Sequence, residues 1–273
     1  MKKLTSLLFF TALLFMLGPN MAAANIVLYK NVTLIDPLHE RITPDTYLLI
    51  REGRFEYVGQ EQPQILSHAE VIDIQNHFVT PGFIDTHAHI SLGAVSFTME
   101  GDQFALFAEN QREIAAWNAQ KLLEFGVTSI RNPGGDTRAN LLYKNAQLAS
   151  DIVGPRAFVA GGIINTQSFE GLAVAVNDEA SISQAIAHQA ELGVDFIKLY
   201  TGLNEEQITI AVREADQYAL PVIGHLESVS WLKGAELGID HLAKSKANKP
   251  IEFGYYTFDP SQRRALFKAL SEK

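Results

Sequence analysis

The chain has 273 residues, 47% of them hydrophobic and 19% charged, enough apolar material for a sizeable core and unlike a disordered or collagen-like composition. Asp and Glu number 31 against 22 Lys and Arg, a net charge of -9, so there is no broad positive field to hold nucleic acid or anionic lipid. The absence of cysteine excludes disulfide frameworks, Cys-ligated zinc, iron–sulfur clusters and thiol nucleophiles, and leaves His, carboxylate or modified Lys as metal ligands.

Lys2 and Lys3 precede an apolar stretch over residues 4–17, followed by Gly18, Pro19 and the small run Ala22, Ala23, Ala24. The stretch falls short of the roughly 20 residues that span a bilayer, and its basic start and small-residue exit are those of a cleaved secretory signal. Residues 1–24 are therefore read as a signal peptide, with an uncleaved anchor as the alternative. The expectation is an exported protein, periplasmic or secreted, with no permanent membrane anchor.

From 25 to 79 the pattern is short and alternating, at 26–29, 31–35, 47–50 and 54–58, with turns at Asp36-Pro37, Thr43-Pro44 and Glu52-Gly53. This reads as a small antiparallel, β-sandwich-like sheet domain, half of a composite domain. After Pro81-Gly82 short apolar strands alternate with helical stretches. The strands fall at 83–89, 127–131, 156–160, 195–200, 222–225 and 239–242, and the helices at 111–125, 179–192, 205–220 and 228–237. Alternation of this kind implies parallel strands with right-handed crossovers. At roughly 31 residues per strand–helix unit, residues 80–273 hold about six of the eight units of a TIM-like (β/α) barrel. The class is α/β, and an incomplete barrel is favoured over a doubly wound sheet because no G-x-G-x-x-G turn follows the first strand.

His87 and His89 stand two apart on the strand predicted at 83–89, beside Asp85, so period-two geometry puts both imidazoles on one face, where two histidines can chelate one metal. Polar residues at a strand end are the plainer alternative. Lys198, His225 and His241 each lie near the end of a separate predicted strand, and in a parallel barrel those ends converge. Lys198 sits in the apolar run DFIKLY (195–200), where an ammonium is costly to bury. A buried Lys tends to lose its proton, and a neutral amine near divalent metals can take up carbon dioxide as a bridging carbamate. A Lys reaching solvent or a carboxylate, and hydrogen-bonded core histidines, are the alternatives.

PGFIDTHAH (81–89) resembles the PG-x-ID-x-H-x-H strand that opens the barrel of the metal-dependent amidohydrolase superfamily. DFIKLY resembles its fourth strand, and the stretches around His225 and His241 resemble the fifth and sixth. GVTSIRNPGG (126–135) and GPR (154–156) are similar to the imidazolonepropionase-like branch, which includes dipeptidases cleaving before proline. The resemblance implies two divalent ions, often zinc, flanking a hydroxide that attacks an amide or ester carbonyl. It assigns His87 and His89 to the more buried ion, His225 and His241 to the second, and Lys198, as carbamate, to the bridge. It implies a small-molecule or dipeptide-like substrate and is compatible with a homo-oligomer. Tyr200 and Arg131 are candidates to contact substrate oxygens, with a packing tyrosine and a surface arginine as the alternatives.

The loop 161–171, with NTQSF at 165–169, departs from the Gly- and His-rich turn of many relatives, which bears on substrate class. The family's metal-binding Asp on strand eight has no counterpart, because residues 259–270 read as the helix before strand seven. Asp240 and Asp259 belong to other elements. The expectation is thus an exported amidohydrolase represented by a truncated, inactive chain. The rivals are a non-catalytic remnant that binds metal or another chain, and a solute-binding protein.

Overall fold

The computed structural model describes residues 26–65, 69–100, 103–110 and 112–245. The signal peptide read at 1–24 and the helix read at 259–270, with Asp259, lie outside the described residues. Two compact units divide at Pro81 and Gly82. No helix among the described residues is long and apolar enough to cross a membrane.

The first unit is one mixed sheet built from β1 (Ile26–Asp36), β2 (Arg41–Arg51), β3 (Arg54–Gly59), β4 (Glu70–Asp73) and β5 (Phe78–Val79). β1 and β2 pair antiparallel, as do β2 and β3, but β4 and β5 run parallel to β1. The antiparallel, sandwich-like expectation is corrected accordingly. The chain leaving β3 returns on the far side of β1, and from there it pairs in the same direction. The predicted break near Lys30 is a bulge instead: Asn31, at φ 56°, lies in the register shift between Tyr29 and Val32, after which Val32 pairs with Thr46, both fully buried. Pro44 likewise sits at a register shift within β2, where a strand tolerates a missing N–H donor. At Glu52 and Gly53 the predicted turn is present, with both residues at positive φ (50° and 74°), as a tight hairpin requires.

The second unit begins with β6 (Phe83–Asp85) and an antiparallel hairpin, β7 (Leu92–Glu100) and β8 (Gln103–Asn110), which the sequence pattern does not announce. Then come α1 (Arg112–Glu124), β9 (Val127–Asn132), α2 (Thr137–Leu148), β10 (Arg156–Val159), β11 (Ile163–Asn165) and β12 (Ala173–Ala175). α3 (Glu179–Leu192), β13 (Ile197–Leu199), α4 (Glu205–Gln217), β14 (Val222–Leu226), α5 (Trp231–Glu236) and β15 (His241–Ser245) complete it. α3 and α4 start where capping boxes form, Asp178 with Ser181 and Asn204 with Gln207, and α3 stops at Gly193, at φ 87°.

β6, β9 and β10 pair parallel in chain order, and so do β11, β13, β14 and β15. β11 also pairs parallel with β12 on its other edge, so the parallel strands form two sheets, β6-β9-β10 and β12-β11-β13-β14-β15, with the chain passing from one to the other at Ala160-Gly161-Gly162. Helices seal one face. Ile164, Ile197, Leu199, Val222 and Leu226 pack with Ile182, Ile186, Ile208 and Val212 of α3 and α4, while Ile130, Ala157 and Val159 pack with Ala115, Ala119 and Tyr143 of α1 and α2. The opposite face carries a smaller cluster of Ala160, Phe196 and Ile223, with Ala243 against it.

Two aspartates clasp the strand starts. Asp195 donates its N–H to the Val159 carbonyl at 2.8 Å, accepts the Val159 N–H on Oδ2 at 2.8 Å and meets Lys144 Nζ with Oδ1 at 2.7 Å. Asp240 makes the same two-bond ring with Val222, at 3.0 and 2.8 Å. Because Val159 is fully buried, losing the carboxylate strands an N–H away from water. Asp195→Ala should therefore cost about 1.5–3 kcal/mol, and Lys144→Ala, which removes a partly exposed ion pair, about 1 kcal/mol or less. Urea unfolding of the two variants measures the difference; equal small losses would show that the Val159 N–H finds another partner.

Candidate metal centre

The strand expected to carry the histidine pair is shorter than predicted. β6 ends at Asp85, and His87 and His89 lie beyond it in a bend. Asp85 is the cause: its Oδ1 accepts the His87 backbone N–H at 2.9 Å, a local turn that competes with the ladder, so Asp85 shapes the bend. Pairing with β9 resumes at Ala88, whose N–H donates to the Arg131 carbonyl at 3.0 Å. The two imidazoles still come together, with centroids 5.5 Å apart and planes at 67°. Two imidazoles on one tetrahedral zinc, with Zn–N near 2.0–2.1 Å, have centroids about 5 Å apart, so the pair is close to chelating geometry. His89 Nδ1 lies 2.8 Å from the Gly134 carbonyl, an arrangement that puts its proton on Nδ1 and its lone pair on Nε2.

Lys198 is the middle residue of β13 and is 2% exposed. Its neighbours Ile197 and Leu199 belong to the helix-side core, so alternation sends Lys198, like Phe196, to the opposite face. Lys198 pairs with Ile223, and Ile223 with His241, so the three share one row across the parallel sheet. His241 is the first residue of β15, where a strand end was expected; Asp240 anchors the chain to Val222 and the strand starts after it. The register nevertheless keeps His241 level with Lys198. His225 stands two residues beyond Ile223, past a register shift, and its ring meets Tyr200 edge to face at 4.7 Å and 90°.

Arg131, expected as a surface or substrate-contacting residue, is half-buried. It alternates with Ile130, which faces α1 and α2, and its Nε donates to the Thr86 carbonyl at 2.9 Å. Burial lowers its pKa; that of His241 is lowered by desolvation first and then by the charge of Arg131, with Asp240 pulling the other way. Asp240, a conceivable proton donor by sequence, has its carboxylate on the Val222 N–H at the start of β14. Among the described residues no group of three or more His, Asp or Glu side chains is placed to hold one ion. The donors come as a His87–His89 pair, with His225, His241 and Lys198 on neighbouring strands, and a divalent ion at either place would need the Lys or further ligands to complete it.

Sequence reasoning missed a buried polar cluster behind His89. Ser91, Asn132 and Asn140 are each 1% exposed or less. Asn140 sits in TRANLLYKNAQL, whose polar residues read as a solvated helix face, and no spacing signal marks it.

The amidohydrolase family model matches residues 78–267, well over half of the chain. The chain belongs to the amidohydrolase family. Imidazolonepropionase of Cupriavidus metallidurans is 25% identical over 240 residues, which cover 74% of this chain and 57% of the relative. Imidazolonepropionase of Aliivibrio fischeri (strain MJ11) is 43% identical over 51 residues, 18% of this chain and 12% of that one. Among solved structures, a prolidase complexed with N-methylphosphonate-L-proline superposes with a TM-score of 0.63 at 19% identity, over 80% of this chain and 60% of its own. The ochratoxinase of A. niger gives 0.65 at 14% identity, over 90% and 64%. The sequence relatives include imidazolonepropionases and adenine deaminases and the fold neighbours include prolidases, which supports the imidazolonepropionase-like and Xaa-Pro dipeptidase-like branch, and the neighbours imply a TIM-like barrel, consistent with the parallel strands from β6 to β15. The chain spans about three fifths or less of the length of these relatives, apart from the slightly larger share of the ochratoxinase.

The Arg131–His241 coupling has a measurable consequence. A depressed His pKa means that the unfolded chain binds the proton more readily, so this contribution to stability is complete above pH ~6.5 and is lost as pH falls from there through the lower folded pKa. In Arg131→Met the His241 resonance should titrate closer to the ordinary histidine value. NMR titration of the metal-free protein checks this, and an unmoved midpoint would mean that desolvation alone sets the shift.

Proposed function

We propose that the protein is an exported, metal-dependent hydrolase that cleaves C–N amide or peptide-like bonds in small, dipeptide-like substrates. The observation that carries the reading is the His87–His89 pair, held at 5.5 Å with His89 oriented through its Nδ1 by the Gly134 carbonyl. Family membership supports hydrolytic action on such bonds. The donors are of the right chemical type: neutral imidazoles suit zinc, and in a chain without cysteine the anion they lack is supplied by the carbamate of Lys198, buried level with His241. His87 and His89 would hold one ion, His225 and His241 the second, and Lys198 would bridge them.

A divalent ion held by these residues would lower the pKa of water towards neutrality and polarise the scissile carbonyl. The protein's own groups do the rest. The low pKa of His241 keeps its imidazole neutral, the form that ligates, at neutral pH. Arg131 presents a guanidinium suited to a substrate carboxylate, which a dipeptide carries at its C terminus. Tyr200, set edge to face against His225, would contact substrate beside that histidine. The NTQSF segment after β11 supplies Asn165, which accepts the Gly202 N–H at 3.1 Å and ties the loops after β11 and β13 together as one wall.

Metal content tests the reading directly. The 273-residue chain loaded with zinc and stripped of loosely bound ion should retain it by elemental analysis, and His87→Ala or His225→Ala should lower the content. Lys198→Ala should lower it further, with partial recovery on adding a short carboxylate. Unchanged content in all three variants would return these residues to core packing.

Export is part of the same proposal and rests on the basic, apolar and small-residue order of residues 1–24. Amino-terminal sequencing of exported protein should find Asn25 at the start, or a residue within two of it. Recovery of the intact Met1 chain in the soluble exported fraction would overturn this part.

A further inference from the structure

The metal reading explains the histidines but leaves the buried polar cluster behind them without a role. Asn140, on α2, is fully buried, a costly place for a carboxamide unless its atoms are matched. Its Oδ1 accepts two hydrogen bonds, from Ser91 Oγ and from Asn132 Nδ2 at 2.8 Å, and its Nδ2 donates to the Ala160 carbonyl at 2.9 Å. One side chain thereby ties the segment just after the histidine pair to the ends of β9 and β10.

The cluster also reaches His89 by a second route. Asn132 Oδ1 accepts the Gly134 N–H at 3.3 Å, and the Asn132 carbonyl accepts the Ala160 N–H at 2.9 Å. This fixes the turn that aims the Gly134 carbonyl at His89 Nδ1. Gly134 itself is at φ 138°, and a Cβ there would come within 2.3 Å of Ile163, so the carbonyl is presented by backbone with no room for a side chain. Helix packing alone does not require this arrangement: an apolar residue at 140 would fill the space without the need to satisfy three bonds.

We propose that Asn140 is a positioning residue for His89, acting through Ser91, Asn132 and the Gly134 carbonyl to fix the imidazole in its Nδ1–H form with Nε2 presented as a metal donor. The proposal rests on the metal-centre reading above and deepens it, because the affinity of the pair for an ion is then set from a helix that does not touch it.

The test uses the full chain, metal-free and labelled with ¹⁵N-histidine, and cobalt(II) as the metal probe. Wild-type His89 should appear as the Nδ1–H tautomer. Asn140→Ser should shift it towards a mixture and weaken cobalt binding about 10- to 100-fold. Asn140→Asp keeps oxygens for Ser91 and Asn132 but sets an oxygen against the Ala160 carbonyl, so it should fall between Asn140→Ser and wild type, with the link towards Gly134 kept. Wild-type tautomer and affinity in a folded Asn140→Ser would overturn the proposal. If that variant does not fold, Asn132→Asp decides on the same criteria, because it keeps the acceptor for Gly134 and loses the donor to Asn140. His89→Ala separates the two readings: if it leaves cobalt affinity unchanged, the metal reading fails, and the tautomer measurement alone decides whether Asn140 positions the ring.

Discussion

Ile197 and Leu199 are locked into the apolar layer beneath α3 and α4, and the two-residue period of a strand then leaves Lys198 one place to go, the opposite face. A one-residue slip of β13 would put the lysine into the helix layer. It would forfeit about 1.5–3 kcal/mol for each of the two aliphatic side chains removed from it and add an ammonium to an apolar core. The parallel register passes the same constraint to Ile223 and His241, which lie level with Lys198 on the next two strands. The candidate centre is thus a by-product of how the helix layer is packed.

The unit separates its two kinds of work along the strands. At the starts of β13 and β15, Asp195 and Asp240 close two-bond rings with Val159 and Val222 and hold neighbouring strands in register. Beyond the middle of these strands lie candidate site residues, Tyr200 and His225, with the bend carrying His87 and His89 after β6. An aspartate at a strand start already satisfies backbone donors, so its charge serves the sheet. This is why Asp240, adjacent to His241 in sequence, is poorly placed as an acid for the site.

Electrostatics favours a neutral His241. Its pKa is shifted downward, through desolvation first and then the charge of Arg131. A site built to hold His as a cation would surround it with carboxylates. Here the neighbouring Asp240 opposes the shift without reversing it, and the net environment preserves a lone pair for a ligand. Arg131 then has two physical effects from one position: it holds the Thr86 carbonyl next to His87 and its charge adds to the lowering of the His241 pKa.

The sequence by itself determined the elements whose signals are local. The spacing of apolar residues gave α3 its full span, 179–192, the strand–helix alternation gave the succession of parallel strands, and the H-x-H, the strand lysine and the two later histidines marked the candidate donors, because residue type and period suffice for these. Where a polar side chain competes with the ladder, the local pattern misled. Asp85 bends the chain before His87, Asn31 and Pro44 become bulges within strands that read as broken, and His241 begins a strand it was expected to end. Only the tertiary structure decided which distant groups meet. Nothing near Asn140 in the chain says that it is buried, or that Ser91, Asn132 and the Ala160 carbonyl converge on it. Nothing near Arg131 says that His241 lies within reach of its charge. Hydrogen bonds and fields of this kind span 8 to 110 positions of chain, and they exist only once the strands are laid side by side, so no periodicity in the sequence records them.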